Sequence, residues 1–214
     1  MRQTILDQIA TALANCKKHF IREQDIQFYL YTYFLQSGNY DNVFYEYHVP
    51  SELMPPYLWN DVHNIYIDIV LEKNNEFYPI EIKYKTTKEK LSHLVFGQNV
   101  NVLLGHHGAQ NIGCYDFWKD IKRIEYFEEV FHFVKRGIVI FASNDPSYMK
   151  PPRNTTIGYA PFSIHQGRNV AAGTQLNWNG AGSTANGRPG FTVNHDYTIS
   201  WIKLPFQHHY YILA

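Results

Sequence analysis

Three residues of this chain have types and spacing suited to chemistry: Asp68, Glu81 and Lys83. Lys73-Asn74-Asn75-Glu76 reads as a tight turn between two strand-like runs, Ile65 to Glu72 and Glu76 to Lys85. Taking Asn74-Asn75 as a two-residue turn of the kind that tolerates positive φ fixes the register of the hairpin. Asp68 then falls directly across from Glu81 in a non-hydrogen-bonded pair, where facing side chains stand roughly 5 Å apart. Two carboxylates so placed repel, which makes them a poor choice for stability alone. A divalent cation between them turns the repulsion into a binding site. Strand alternation puts Lys83 on the same face, while Ile80, Ile82 and Tyr84 point to the other and anchor the strand. A hard, oxygen-ligated cation such as Mg²⁺, with Mn²⁺ as a substitute, activates water and neutralises phosphate charge. The carbonyl of Ile82 is a further ligand, and Lys83 orients the water or stabilises developing charge.

These residues need a sheet flanked by helices. Ile5, Ile9, Leu13, Cys16 and Phe20 recur near helical spacing, as do Ile26, Leu30, Tyr33 and Phe34, in one long helix or two with a break near His19. Val43 to Val49 reads as a first strand before the Pro50, Pro55 and Pro56 loop. Pro79 is unusual inside a strand, but in this register it faces Val70 in a non-hydrogen-bonded pair. Residues 86 to 112 read as a short helix or loop. Cys114, Phe117, Trp118, Ile121, Ile124, Phe127, Phe131 and Val134 form one apolar helical stripe, and Ile138 to Phe141 is an apolar strand. The expected class is α/β, a mixed sheet flanked by helices over residues 1–142. Residues 143–214, rich in Gly, Asn, Ser and Pro to position 190, are expected to form a β-rich appendage or lid, with strands at Phe191 to Trp201 and His209 to Leu213.

Ile67-Asp68 followed by Ile80-Glu81-Ile82-Lys83 resembles the D…ExK signature of the PD-(D/E)XK nuclease superfamily, with Ile67 where the motif's name has Pro. The resemblance covers about residues 20 to 142. It implies a restriction-endonuclease-like fold and a Mg²⁺-dependent nuclease acting on nucleic acid, most readily DNA, in restriction, repair or phage defence. A homodimer would place two sites on two strands. Glu23, on a helix face with Ile26 and Leu30, matches the extra acidic residue of many members, and Glu46 competes for that role. The helix from Cys114 resembles the one that faces the site in this superfamily. A Q-x-x-x-Y pattern carried by some relatives is not reproduced: Gln110 and Tyr115 are one residue too far apart, and Asn111 has the spacing but not the type. Tyr115 and Lys119 remain accessory candidates. An inactive nucleic-acid-binding or complex-forming module on the same fold, and an RNA-directed nuclease, are the alternatives.

Composition constrains these readings. The 214 residues carry 19 basic and 19 acidic side chains, so any positive surface for nucleic acid must be local or supplied by a metal. Aromatics make up 16%, with 17 tyrosines, and most of them are expected to fill the core. Cys16 and Cys114 sit among apolar residues and read as buried thiols. The N-terminal residues have no apolar run of signal-peptide length and no segment reads as a membrane span, so a cytoplasmic protein is expected. Adjacent histidines seldom converge on one ion, which argues against His106-His107 and His208-His209 as metal sites. Tyr115, Lys119, Lys122 and Tyr126 form a basic, aromatic stripe; a solvated face paired with Asp116 and Asp120 explains it equally well. Trp178, Arg188, Trp201 and Lys203 read first as parts of a folded β cap.

Overall fold

The computed structural model describes residues 1–50, 53, 58–59, 64–154, 158–180, 182–205 and 209–214. Pro55, Pro56 and His208 lie outside these residues. Helices α1 (Arg2–Asn15) and α2 (Glu23–Ser37) come first, so the two apolar patterns are separate helices. The side chain of Asp25 starts α2 by accepting the amides of Ile21 and Arg22, each at 2.9 Å, and Gly38, at φ 64°, ends it in the left-handed conformation.

Strands β1 (Asn42–Pro50), β2 (Asn64–Lys73) and β3 (Glu76–Lys85) follow. Asn74 and Asn75 both have positive φ, 54° and 62°, and the pairing from Lys73–Glu76 to Ile69–Ile80 is the register expected from the sequence. Residues 86–109 depart from expectation. They hold a hairpin, β4 (Lys90–Val95) and β5 (Gln98–Leu103), in place of a short helix or loop. Its turn is Phe96–Gly97, both at positive φ, and the alternation Asn99, Val100, Asn101, Val102 is its strand signal. Asn144 clamps the hairpin's base, accepting the amide of Thr87 at 2.7 Å and donating to its carbonyl at 3.1 Å.

Helix α3 (Gln110–Val130) stops before the last two residues of the expected stripe. Phe77 bonds through its amide to the carbonyl of Phe133 and through its carbonyl to the amide of Lys135, which draws Val134 into a parallel bridge. Strand β6 (Ile138–Ser143) then runs parallel to β3. The C-terminal third contains β7 (Asn169–Val170), β8 (Gln175–Leu176), β9 (Phe191–Thr192), β10 (Tyr197–Thr198), β11 (Ile202–Lys203) and β12 (Tyr210–Leu213). The run expected as one strand from Phe191 to Trp201 is interrupted because the buried carboxylate of Glu125 accepts the amides of Asn194 and His195.

The result is an α/β protein with a six-stranded mixed sheet in the order β1-β2-β3-β6-β12-β11. The C-terminal β12 is an interior strand of that sheet, antiparallel to β6. One face packs Ile80, Ile82, Ile138 and Ile140 against Ile5, Ile9, Ile26 and Leu30 of α1 and α2. The other packs Val139, Phe141 and Ile212 against Cys114, Phe117 and Ile121 of α3, with Phe162, Val170 and Tyr197 from the C-terminal third. Every residue of β6 is buried, as expected for a strand covered on both faces. Cys16 and Cys114 are buried free thiols. Among the described residues no helix is long and apolar enough to cross a membrane.

Gly137 lets β6 begin beside β3. A Cβ there would stand 2.3 Å from the carbonyl oxygen of Pro79. Gly137→Ala is therefore expected to destabilise the protein by about 1–3 kcal/mol in urea unfolding, the cost of overpacking. Asn75→Gly, which keeps the turn's positive φ, should leave the midpoint unchanged or raise it.

Candidate active site

The site forms where the β2–β3 ladder ends. Its last pair is Ile69–Ile80; Asp68 and Glu81, next in register, do not continue it as the direct cross-strand pair that the sequence suggested. The carboxylate of Asp68 instead reaches the strand edge, where Oδ2 accepts the amide of Ile82 at 2.6 Å. The next amide on that edge, of Tyr84, donates to Oε2 of Glu23 at 2.8 Å. Two carboxylates thus occupy the positions that β2 carbonyls would fill. Alternation sends the carbonyl of Ile82 to the same edge.

The β1–β2 ladder breaks at the same level. Glu46 falls opposite Asp68 by register, but neither is paired there, and Glu46 has a φ of 49°. Gln27, 2% exposed, fills the break. Its amide donates to the carbonyl of Asp68 at 3.1 Å and to Oε1 of Glu46 at 2.5 Å. Glu23 and Gln27, one helical turn apart on α2, therefore brace β3 and β2 respectively. Glu46 is held by Gln27, whereas Glu23 lies close enough to add its field to both Asp68 and Lys83.

On the opposite face, α3 supplies counter-charges that sequence reasoning missed. Arg123 lies 2.6 Å from Glu81 and 3.0 Å from Asp120, and Lys83 lies 3.3 Å from Asp120. Asp120 is thus the ion-pair partner of Lys83. One turn earlier on α3, Asp116 is 3.5 Å from Lys85. Asp120 is 2% exposed, so this side of α3 is not a solvated face. The signal was present: Asp116, Asp120 and Arg123 recur at i, i+4 and i+7, and Lys83 and Lys85 alternate on the strand.

Other candidates stand elsewhere. Tyr115 is buried, its hydroxyl donating to the carbonyl of Pro189 and accepting from the indole of Trp59, which places it in the C-terminal core. Lys119 lies over the Trp59 ring, 5.2 Å from its centre, and Lys122 pairs with Glu125 and Glu129. Trp178 and Trp201 pack into the core around α3, each indole bonded to a backbone carbonyl. Nδ1 of His107 accepts the amide of Thr86.

Charge and burial set the site's chemistry. Burial pushes the Asp68 carboxyl up to about 7, against the downward pull of the Ile82 amide and Lys83. Burial also raises Glu81, and Arg123 only partly offsets it. Lys83 is raised, chiefly by Asp120, so it stays a cation and cannot serve as a proton acceptor near neutrality. Glu23, Asp68, Glu81, Asp116 and Asp120 are five carboxylates facing three cations, Lys83, Lys85 and Arg123. That surplus, with hard oxygen donors from Asp68, Glu81 and the Ile82 carbonyl, fits a Mg²⁺-like ion that keeps several waters. Among the described residues no three His, Cys, Asp or Glu side chains form a ready-made metal cage. Compared with protein-family models, curated proteins and solved structures, the chain matches none.

A raised carboxyl favours the folded state while protonated in it. Without metal, the contribution of Asp68 is complete below its unfolded value near 3.8 and is lost as pH rises through about 7. Asp68→Asn keeps an acceptor for Ile82 without the charge. In EDTA its Tm is expected to exceed that of the parent at pH 8 by roughly 2–4 °C, the effect of about 1 kcal/mol in a chain this size, and to match it at pH 4. Thermal melts at the two pH values test this.

Proposed function

We propose that this protein is a Mg²⁺-dependent nuclease of the PD-(D/E)XK type, with a restriction-endonuclease-like fold, that hydrolyses phosphodiester bonds in DNA. The observation that carries the reading is the opening of the β2–β3 ladder, where Asp68 takes the Ile82 amide and feels the charge of Lys83, while Glu81 feels those of Asp68 and Lys83. Bound there, Mg²⁺ or Mn²⁺ would supply an activated water and neutralise phosphate charge. Asp68, Glu81 and the Ile82 carbonyl would hold it. The amide of Ile82 orients Asp68, and Glu23 secures the next amide along the edge. Lys83 is fixed by Asp120 and permanently charged, so its role is to stabilise negative charge developing on the phosphate.

The Glu81–Arg123 contact favours a second reading, an inactive DNA-binding or complex-forming module. Arg123 already neutralises Glu81, and Asp120 already neutralises Lys83. Isothermal titration with Mn²⁺ separates the two: the nuclease reading expects one site, lost in Asp68→Asn, and the module reading expects none.

Asp68→Asn and Glu81→Gln are each expected to abolish Mg²⁺-dependent cleavage while the fold persists by circular dichroism. Lys83→Met should bind Mn²⁺ and DNA as the parent does but cleave roughly 10²–10³-fold slower in single turnover, the usual cost of one lost transition-state contact. Normal turnover in Lys83→Met would remove the lysine from the catalytic assignment.

A further inference from the structure

A groove of about 1370 Å³ runs beside the candidate site. It exceeds the roughly 300–1,000 Å³ of small-molecule pockets. One wall is the break between α1 and α2 with the outer face of α2, and it carries Lys17, Lys18, Arg22 and Phe28. The other is the β4–β5 hairpin, which presents Leu94 and Val95; Tyr45 of β1 also lines the groove. Phe28 and Leu94 are each 62% exposed and Tyr45 is 39% exposed, so apolar surface faces the groove beside cationic side chains. The acid that lines the groove, Asp25, is engaged by the amides of Ile21 and Arg22 and by the Arg22 guanidinium.

At two points a residue lining the groove is the chain neighbour of a residue of the site. Arg22 precedes Glu23, and Tyr45 precedes Glu46. Tyr45 feels the charges of Glu46, Asp68 and Arg22, so the ring lies near both the groove's basic end and the carboxylates. Cations suit a phosphate backbone. Exposed rings suit bases that are unstacked, since a duplex keeps its base faces covered.

We propose that this groove binds single-stranded DNA, with the backbone along Lys17 and Arg22 and bases against Phe28 and Tyr45, and delivers the strand to the Asp68–Glu81 edge. The inference rests on the nuclease reading for its last step only. An apolar hairpin opposite a basic segment between α1 and α2 serves a single strand, and the substrate class becomes single-stranded or frayed DNA.

The test is fluorescence anisotropy on the Asp68→Asn protein in EDTA, with dT15, rU15 and a 15-base-pair duplex as probes. The expected result is tightest binding of dT15, weakened by rising salt. Phe28→Ala should weaken dT15 binding roughly ten-fold, the loss expected for one stacked base, and Lys17→Glu with Arg22→Glu should weaken it further. All three positions are exposed, and melting curves should match the parent. Duplex binding as tight as dT15, a preference for rU15, or an unchanged affinity in Phe28→Ala would overturn the proposal. Cleavage of dT15 by the unmodified chain in Mn²⁺ is read separately. Groove-dependent binding without cleavage sinks the nuclease reading and keeps the groove, while cleavage indifferent to Phe28→Ala does the reverse.

Discussion

The hydrogen bond from the Ile82 amide to Asp68 organises the centre of this molecule. It replaces a rung of the β2–β3 ladder with a side chain and so allows two paired strands to part without leaving an orphaned donor. Everything at that edge follows from the parting. The carbonyl of Ile82 is turned to the opening and the amide of Tyr84 finds an acceptor in Glu23, while on the β1 side, where the ladder breaks at Glu46, the carbonyl of Asp68 finds a donor in Gln27. Two residues one turn apart on α2 thus complete backbone bonding that the sheet abandons. Because α2 is also packed through Ile26 and Leu30 onto the sheet, the same helix that closes the core holds the cleft open.

The opposite face is governed by charge. Glu81, Arg123, Asp120 and Lys83 alternate in sign along a chain of contacts no longer than 3.3 Å. Buried charges are tolerated only when paired, and removing one member leaves another uncompensated. Helix α3 therefore does more than cover the sheet with Phe117 and Ile121: it carries the counter-ions that let Glu81 and Lys83 be buried on adjacent positions of one strand face. Lys83 keeps its charge because Asp120 faces it, whereas the Glu81 carboxyl is raised because burial outweighs Arg123.

The two faces meet at β3, and this explains the placement of the C-terminal third. The sheet needs a strand beyond β6 to satisfy its backbone, and β12 provides it. The intervening segments, with few regular elements, cover α3 with Phe162, Val170 and Tyr197. The hairpin β4–β5, inserted just after β3, is tied at its base through Asn144, immediately after β6. Its exposed tip is thereby held beside the groove.

The amino-acid sequence by itself determined the hairpin. Asn74-Asn75 can occupy positive φ, the flanking residues alternate, and register then follows by counting to Ile69–Ile80. It also determined the helical faces of α1, α2 and α3, because a period near 3.6 is a local property, and the inward direction of Glu23, which shares a face with Ile26 and Leu30. Tertiary structure decided what counting cannot reach. Whether the ladder continues to Asp68–Glu81 depends on a competing acceptor, the Asp68 side chain, and on the turn at Glu46 in a neighbouring strand. The partner of Lys83 is Asp120, 37 positions away, because the connection after β3 returns as α3 across that face. Gln27 carries no local mark of its role, since a buried polar side chain is identified by the groups left unsatisfied around it. Those groups exist only once the strands have parted and the helices have packed.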